Sequence, residues 1–169
     1  MVCTATSTPT TMAMTAAASP LAPKILRTGL VAGTMDALAA TIQTVIAGRN
    51  PVMVWNYVAS GAFGPDARTG GLHYAAAGLL LHYCIATIWT TLFYLVAVRT
   101  PALRKSPVLT GVLYGLFVWT MMNRVVVPLS RIGPPKSFNP TQAAIAAAII
   151  VVCVGLPIAL RARRDLGPA

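Results

Sequence analysis

The sequence predicts an all-α integral membrane protein: an antiparallel bundle of four transmembrane helices with one short interfacial helix. Three observations carry this. Four long apolar runs, residues 28–48, 72–98, 107–129 and 141–160, each approach or exceed the ~20 residues that an α-helix needs to cross a bilayer. The chain is 56% hydrophobic and 9% charged, with no glutamate, where a soluble domain carries about 25% charged residues. The basic residues sit at the ends of the apolar runs, where membrane topology places them.

Residues 1–27 form a Thr/Ala/Pro-rich tail with no charge before Lys24. Such composition cannot bury a core, and disorder is expected. The tail lacks the basic n-region of a secretory signal and the arginines of a transit peptide.

The first span opens TGLVAG, with Gly29 and Gly33 in the GxxxG spacing that lets a second helix approach closely. Continuing that face at helical spacing gives Asp36, Ala40 and Gln43. An acid on this stripe must face protein or water. In the connection that follows, Asn50-Pro51 marks a helix start. The next 14 residues are too few to span, and Trp55 and Tyr57 suit an interface-lying or re-entrant helix. The second span carries Ala75, Gly78, His82 and Ala86 on one face. A basic turn with Arg99, Arg104 and Lys105 leads to the third span, which opens TGVLYG with Gly111 and Gly115 and ends with Asn123, Arg124 and Pro128. Asn139-Pro140 starts the fourth span, and residues 161–169 form a basic tail.

The two TG-x-x-x-G openings, each followed by an Asn-Pro start, suggest two halves related by an axis along the membrane normal. In that reading the short helix after Pro51 is the degenerate counterpart of the fourth span. The tail, the basic turn and the C-terminus hold eight basic residues (Lys24, Arg27, Arg99, Arg104, Lys105, Arg161, Arg163, Arg164), against four in the two opposite loops. The positive-inside rule then places both termini in the cytoplasm.

Depth sorts the polar groups. At about 1.5 Å rise per residue, Asp36 and His82 both fall near mid-membrane. Gln43, Asn123 and Arg124 fall together near the outer face. The first tier could be a proton- or cation-handling pair or a polar tie between packed helices. Arg124 can snorkel to the interface.

The net charge of +10 is not gathered on one amphipathic face, so a nucleic-acid partner is not expected. Cys3, Cys84 and Cys153 have no metal-ligand spacing, and no hydrolase or phosphate-loop motif is present. His73 and His82, nine residues apart, point to opposite faces and cannot clamp one haem. No catalytic residue, metal or cofactor is therefore expected.

From Thr28 to Leu160 the chain resembles the YagU-like group of small bacterial inner-membrane proteins of unassigned function. The residues that carry the resemblance are Gly29 and Gly33, the stretch from Gly78 to His82, and Gly111, Gly115, Trp119, Asn123 and Pro128. The resemblance implies a multi-span protein of the bacterial inner membrane and supplies no reaction. The expectation is a non-enzymatic structural or interaction component, with the lipid bilayer and a second copy or another membrane protein as partners. The alternative is a small transporter or channel subunit using Asp36 and His82.

Overall fold

The computed structural model describes residues 21–134 and 139–167. Residues 1–20 of the predicted tail, Cys3 among them, and Lys136 of the last loop lie outside the described residues. Four helices are long and apolar enough to cross a membrane: α1 (Leu21–Ile46), α3 (Leu72–Arg99), α5 (Pro107–Leu129) and α6 (Pro140–Leu166). Between them lie α2 (Val52–Phe63) and the single turn α4 (Ala102–Lys105). The chain is an all-α antiparallel bundle of four such helices.

Two helices outrun their expected bounds. Residues 21–27, assigned to the tail, form the first two turns of α1. Pro23 is tolerated there because the first turn needs no intrahelical N–H, and Ile25 is buried in the core. At the other end, α6 continues through the basic segment to Leu166, where Ala162 is fully buried.

The seams close through glycine. A Cβ on Gly29 would lie 3.1 Å from the Thr87 backbone, and one on Gly33 would lie 3.0 Å from the Tyr83 ring, so α1 packs along α3. Gly111 and Gly115 place α5 against α6: added Cβ atoms would stand 2.9 Å from the Leu156 Cα and 2.6 Å from the Val151 Cα. Gly155 returns the contact, and its Cβ would fall inside the Gly111 carbonyl. α6 also packs against α1, and its last turns reach α3, so α6 stands between α1 and α5. The glycine-rich openings of α1 and α5 thus meet α3 and α6 respectively. In any two-halves scheme α3, and not the short helix, corresponds to α6.

The short helix expected at the interface runs antiparallel to the first half of α3. Phe63 meets Tyr74, Ala59 lies against Gly78, and Trp55 stands edge-on to His82 with ring centroids 5.4 Å apart. Gly78 makes this possible, since any Cβ there would collide with the Trp55 carbonyl. The Asn50 side chain accepts from Val52 N–H at 2.9 Å, and Asn139 accepts from Gln142 N–H at 3.1 Å, so both Asn-Pro pairs act as helix starts. The far side of α2 is covered by the loop after α5, where Arg131 N–H donates to the Gly61 carbonyl.

Both late helices carry a π-turn, Met122–Val126 in α5 and Val151–Gly155 in α6. Each ends two residues before a proline, Pro128 or Pro157. Proline lacks the N–H and crowds the carbonyl four residues back. Widening the preceding turn to i→i+5 bonding, as from Val127 N–H to the Met122 carbonyl, carries the helix through. Threonine hydroxyls are satisfied in place: Thr44, Thr87, Thr90, Thr91 and Thr120 each donate to the carbonyl four residues earlier.

The seams set a stability prediction. Gly78→Ala and Gly155→Ala should each destabilise by about 1–3 kcal/mol, the usual cost of overpacking, because each added methyl meets backbone that cannot swing aside. Gly48→Ala, with open space around it, should lose only its left-handed backbone preference (φ 68°). Thermal unfolding in detergent would check the order, and equal losses at all three would mean that the seams are loose.

Candidate functional site

The polar residues of the apolar runs divide into three groups. In the first, α1 and α3 bring Asp36 and His82 together near the middle of the bundle. His82 is an electrostatic neighbour of Asp36, but no hydrogen bond or ion pair joins them. His82 Nε2 lies 2.9 Å from the Gly33 carbonyl. As the carbonyl can only accept, Nε2 carries the proton, and Nδ1 is left as the second nitrogen of the ring. His82 is thereby clamped to the glycine seam, with Trp55 against its ring. Asp36 is half-buried, one helical turn beyond Ala32 on the face that meets α6, with Cys153 also in its field. Among the described residues nothing donates to its carboxyl.

The second tier is not assembled. Gln43 lines an open recess of about 630 Å³, of mixed polar and apolar lining, with Arg49, Met53, Tyr57, Asn139 and Gln142, between the end of α1 and the starts of α2 and α6. Asn123 is exposed and donates to the Trp119 carbonyl of its own helix at 2.8 Å, and Arg124 is exposed beside it. Equal depth puts these groups level, but α6 separates α1 from α5, and depth says nothing of lateral neighbours.

A third group has no local signature in the sequence. Tyr94 is fully buried and donates to Asp165 Oδ2 at 2.6 Å. Its oxygen lies 3.0 Å from Thr28 Oγ1, which therefore donates to it. Lys24 Nζ donates to the Asp165 carbonyl at 3.1 Å. Arg104 Nη1 caps the end of α6 through the Leu166 carbonyl at 2.7 Å, as a cation at a helix C-terminus should. The first turns of α1, the last turns of α3 and α6, and the α4 turn are tied at this one end. Between it and Asp36 lie Ala32, Phe93, Val154 and Ile158, packed into a buried apolar core.

Among the described residues no three His, Cys, Asp or Glu side chains gather where they could hold a metal. Cys84 is exposed and Cys153 half-buried, both as free thiols. Comparison with protein-family models, curated proteins and solved structures gives no match.

Two measurements follow from these contacts. Tyr94→Phe removes one hydroxyl and strands Thr28 and Asp165. It should lower stability in detergent by about 1–3 kcal/mol, with Tyr57→Phe, on an exposed ring, close to neutral. In a double-mutant cycle, Asp36→Asn with His82→Gln should show a coupling of about 0.5 kcal/mol or more. Strict additivity would mean that the two groups do not sense one another.

Proposed function

We propose that this chain is a non-enzymatic integral membrane protein of the bacterial inner membrane, with both termini in the cytoplasm, acting through helix packing as a structural or interaction component. Membership of the YagU-like group belongs to this proposal. The observation that carries it is the close-packed interior. Glycine joins α1 to α3 and α5 to α6 at backbone distance, and the apolar core from Ala32 to Ile158 fills the bundle beside the Tyr94 cluster. A monomer so filled supports no polar path from one face to the other. The excess of basic residues at the Tyr94 end supports its cytoplasmic placement.

A second reading, a transporter or channel subunit, is favoured by one feature. The recess at Gln43 opens on the same α1 stripe that carries Asp36, two turns deeper. The recess ends at Gln43, however, and neither Ala40 nor Asp36 lines it.

Cysteine labelling discriminates the two. With the native cysteines replaced, Gln43→Cys should react with a membrane-impermeant maleimide added from outside intact cells, and Ala40→Cys and Asp36→Cys should not. Labelling at all three positions would favour the transporter reading. Labelling of Gln43→Cys only from the cytoplasmic side would reverse the topology.

A further inference from the structure

Among the described residues, α3 and α5 flank a lateral opening that glycine does not close. α3 and α5 are held apart by aromatic side chains: Tyr114 stands edge-on to Phe93 at 4.7 Å and donates to the Trp89 carbonyl, and Trp89 packs on Phe117. Beside this bridge lies a groove of about 440 Å³, walled by Leu92, Val96, Leu103, Leu113, Tyr114 and Phe117. We propose that this groove binds one anionic glycerophospholipid, an acyl chain lying between α3 and α5 and the headgroup meeting Arg99 and Lys105.

The shape and chemistry of the groove select the chain. Its volume falls in the range of small-molecule sites, about 300–1,000 Å³. A helix about 10–12 Å across with its side chains would use up a volume of about 440 Å³ in about one turn, whereas a polymethylene chain is slender. The Tyr114 hydroxyl is already spent on the Trp89 carbonyl, so the bridge offers an apolar ligand no competing polar group. The groove also opens sideways, where lipid is the solvent.

Charge selects the headgroup. Leu92, Val96 and Arg99 lie on one face of α3 at helical spacing, so the apolar wall runs directly into a cation. Leu103 continues the wall into the basic turn. Arg104 is committed to the carbonyls at the end of α6. Arg99 and Lys105 are exposed and make no side-chain hydrogen bond among the described residues. Arg99, three residues past Val96, and Lys105, two past Leu103, put cations at the basic end of an apolar slot between spanning helices, and such basic pockets recognise acidic phospholipid headgroups.

The test uses the full chain in an uncharged detergent, titrated with phosphatidylglycerol or phosphatidylcholine of the same acyl chains and read by native mass spectrometry. One phosphatidylglycerol should be retained per chain, preferred over phosphatidylcholine by about five-fold for each basic side chain engaged. Arg99→Gln with Lys105→Gln should abolish the preference. Leu113→Trp, which fills the groove from an exposed position, should remove binding of both lipids. Leu80→Trp, exposed on the other half of α3, should not. If Leu113→Trp fails to give a monodisperse helical protein, Val96→Trp fills the same slot. Equal retention of the two lipids by the unaltered chain would overturn the proposal. So would undiminished phosphatidylglycerol binding by a folded groove-filling variant, or a dimer cross-linked through Leu113→Cys whose yield added lipid does not reduce.

Discussion

Helices inside a bilayer gain nothing from leaving water, because lipid tails are as apolar as leucine. What holds them together must be contact itself, and contact between backbones is closest where side chains vanish. Everything else in this bundle depends on that constraint. Gly29, Gly111, Gly115 and Gly155 let two antiparallel pairs approach until main chain meets main chain, and Gly33 seats the Tyr83 ring. Gly78 does the same for the short helix α2. The large exposed residues, Leu80, Ile88, Leu109 and Leu113 among them, point outward, where a soluble protein would not tolerate them.

The polar groups are spent unevenly on this frame. At the end rich in arginine and lysine they are paired: Tyr94 with Asp165 and Thr28, Lys24 and Arg104 with carbonyls of α6. At the opposite end they line an open recess around Gln43 and Arg49. Asp36 lies between the two regimes, close to His82 and without a hydrogen-bond partner among the described residues. A bundle built in this way is tied by hydrogen bonds at one end and carries an open recess at the other, with Asp36 between them.

Much of the frame was legible because it is written locally. Length and hydropathy mark a span, a four-residue glycine spacing marks a packing face, and Asn-Pro marks a start. Each rests on neighbours within one or two helical turns. Depth, too, is local arithmetic, and it brought Asp36 level with His82 correctly. It failed for Gln43 with Asn123 and Arg124, since no periodicity reports which helices stand side by side. The Tyr94 cluster was illegible for the same reason: its partners are 66 and 71 residues away. Gly155 lay in an alanine- and valine-rich run with no second glycine to flag it. Helix ends were missed where charge was taken for an exit from the bilayer. Lys24 and Arg164 both sit on helices that continue, since long side chains reach water while their backbone stays helical.

The two π-turns have a consequence for how this chain tolerates change. Each holds a residue more than an α-turn would, so everything beyond it is rotated by about 100° relative to an unbroken helix. In α6 the widened turn lies between Ile150 and Leu156, and beyond it come Ile158, Ala162 and Asp165. Their aim at α1 and Tyr94 is therefore set by a count of residues and not by side-chain identity alone. Losing one residue from the run Val151–Gly155 would let the turn close to an α-turn and leave Asp165 aimed as before, whereas adding one between Leu156 and Asp165 would turn it about 100° away from the tyrosine it receives. In this helix the grammar is arithmetic: an insertion past the widened turn matters more than most replacements, and sequence lengths between landmarks carry information that residue types do not.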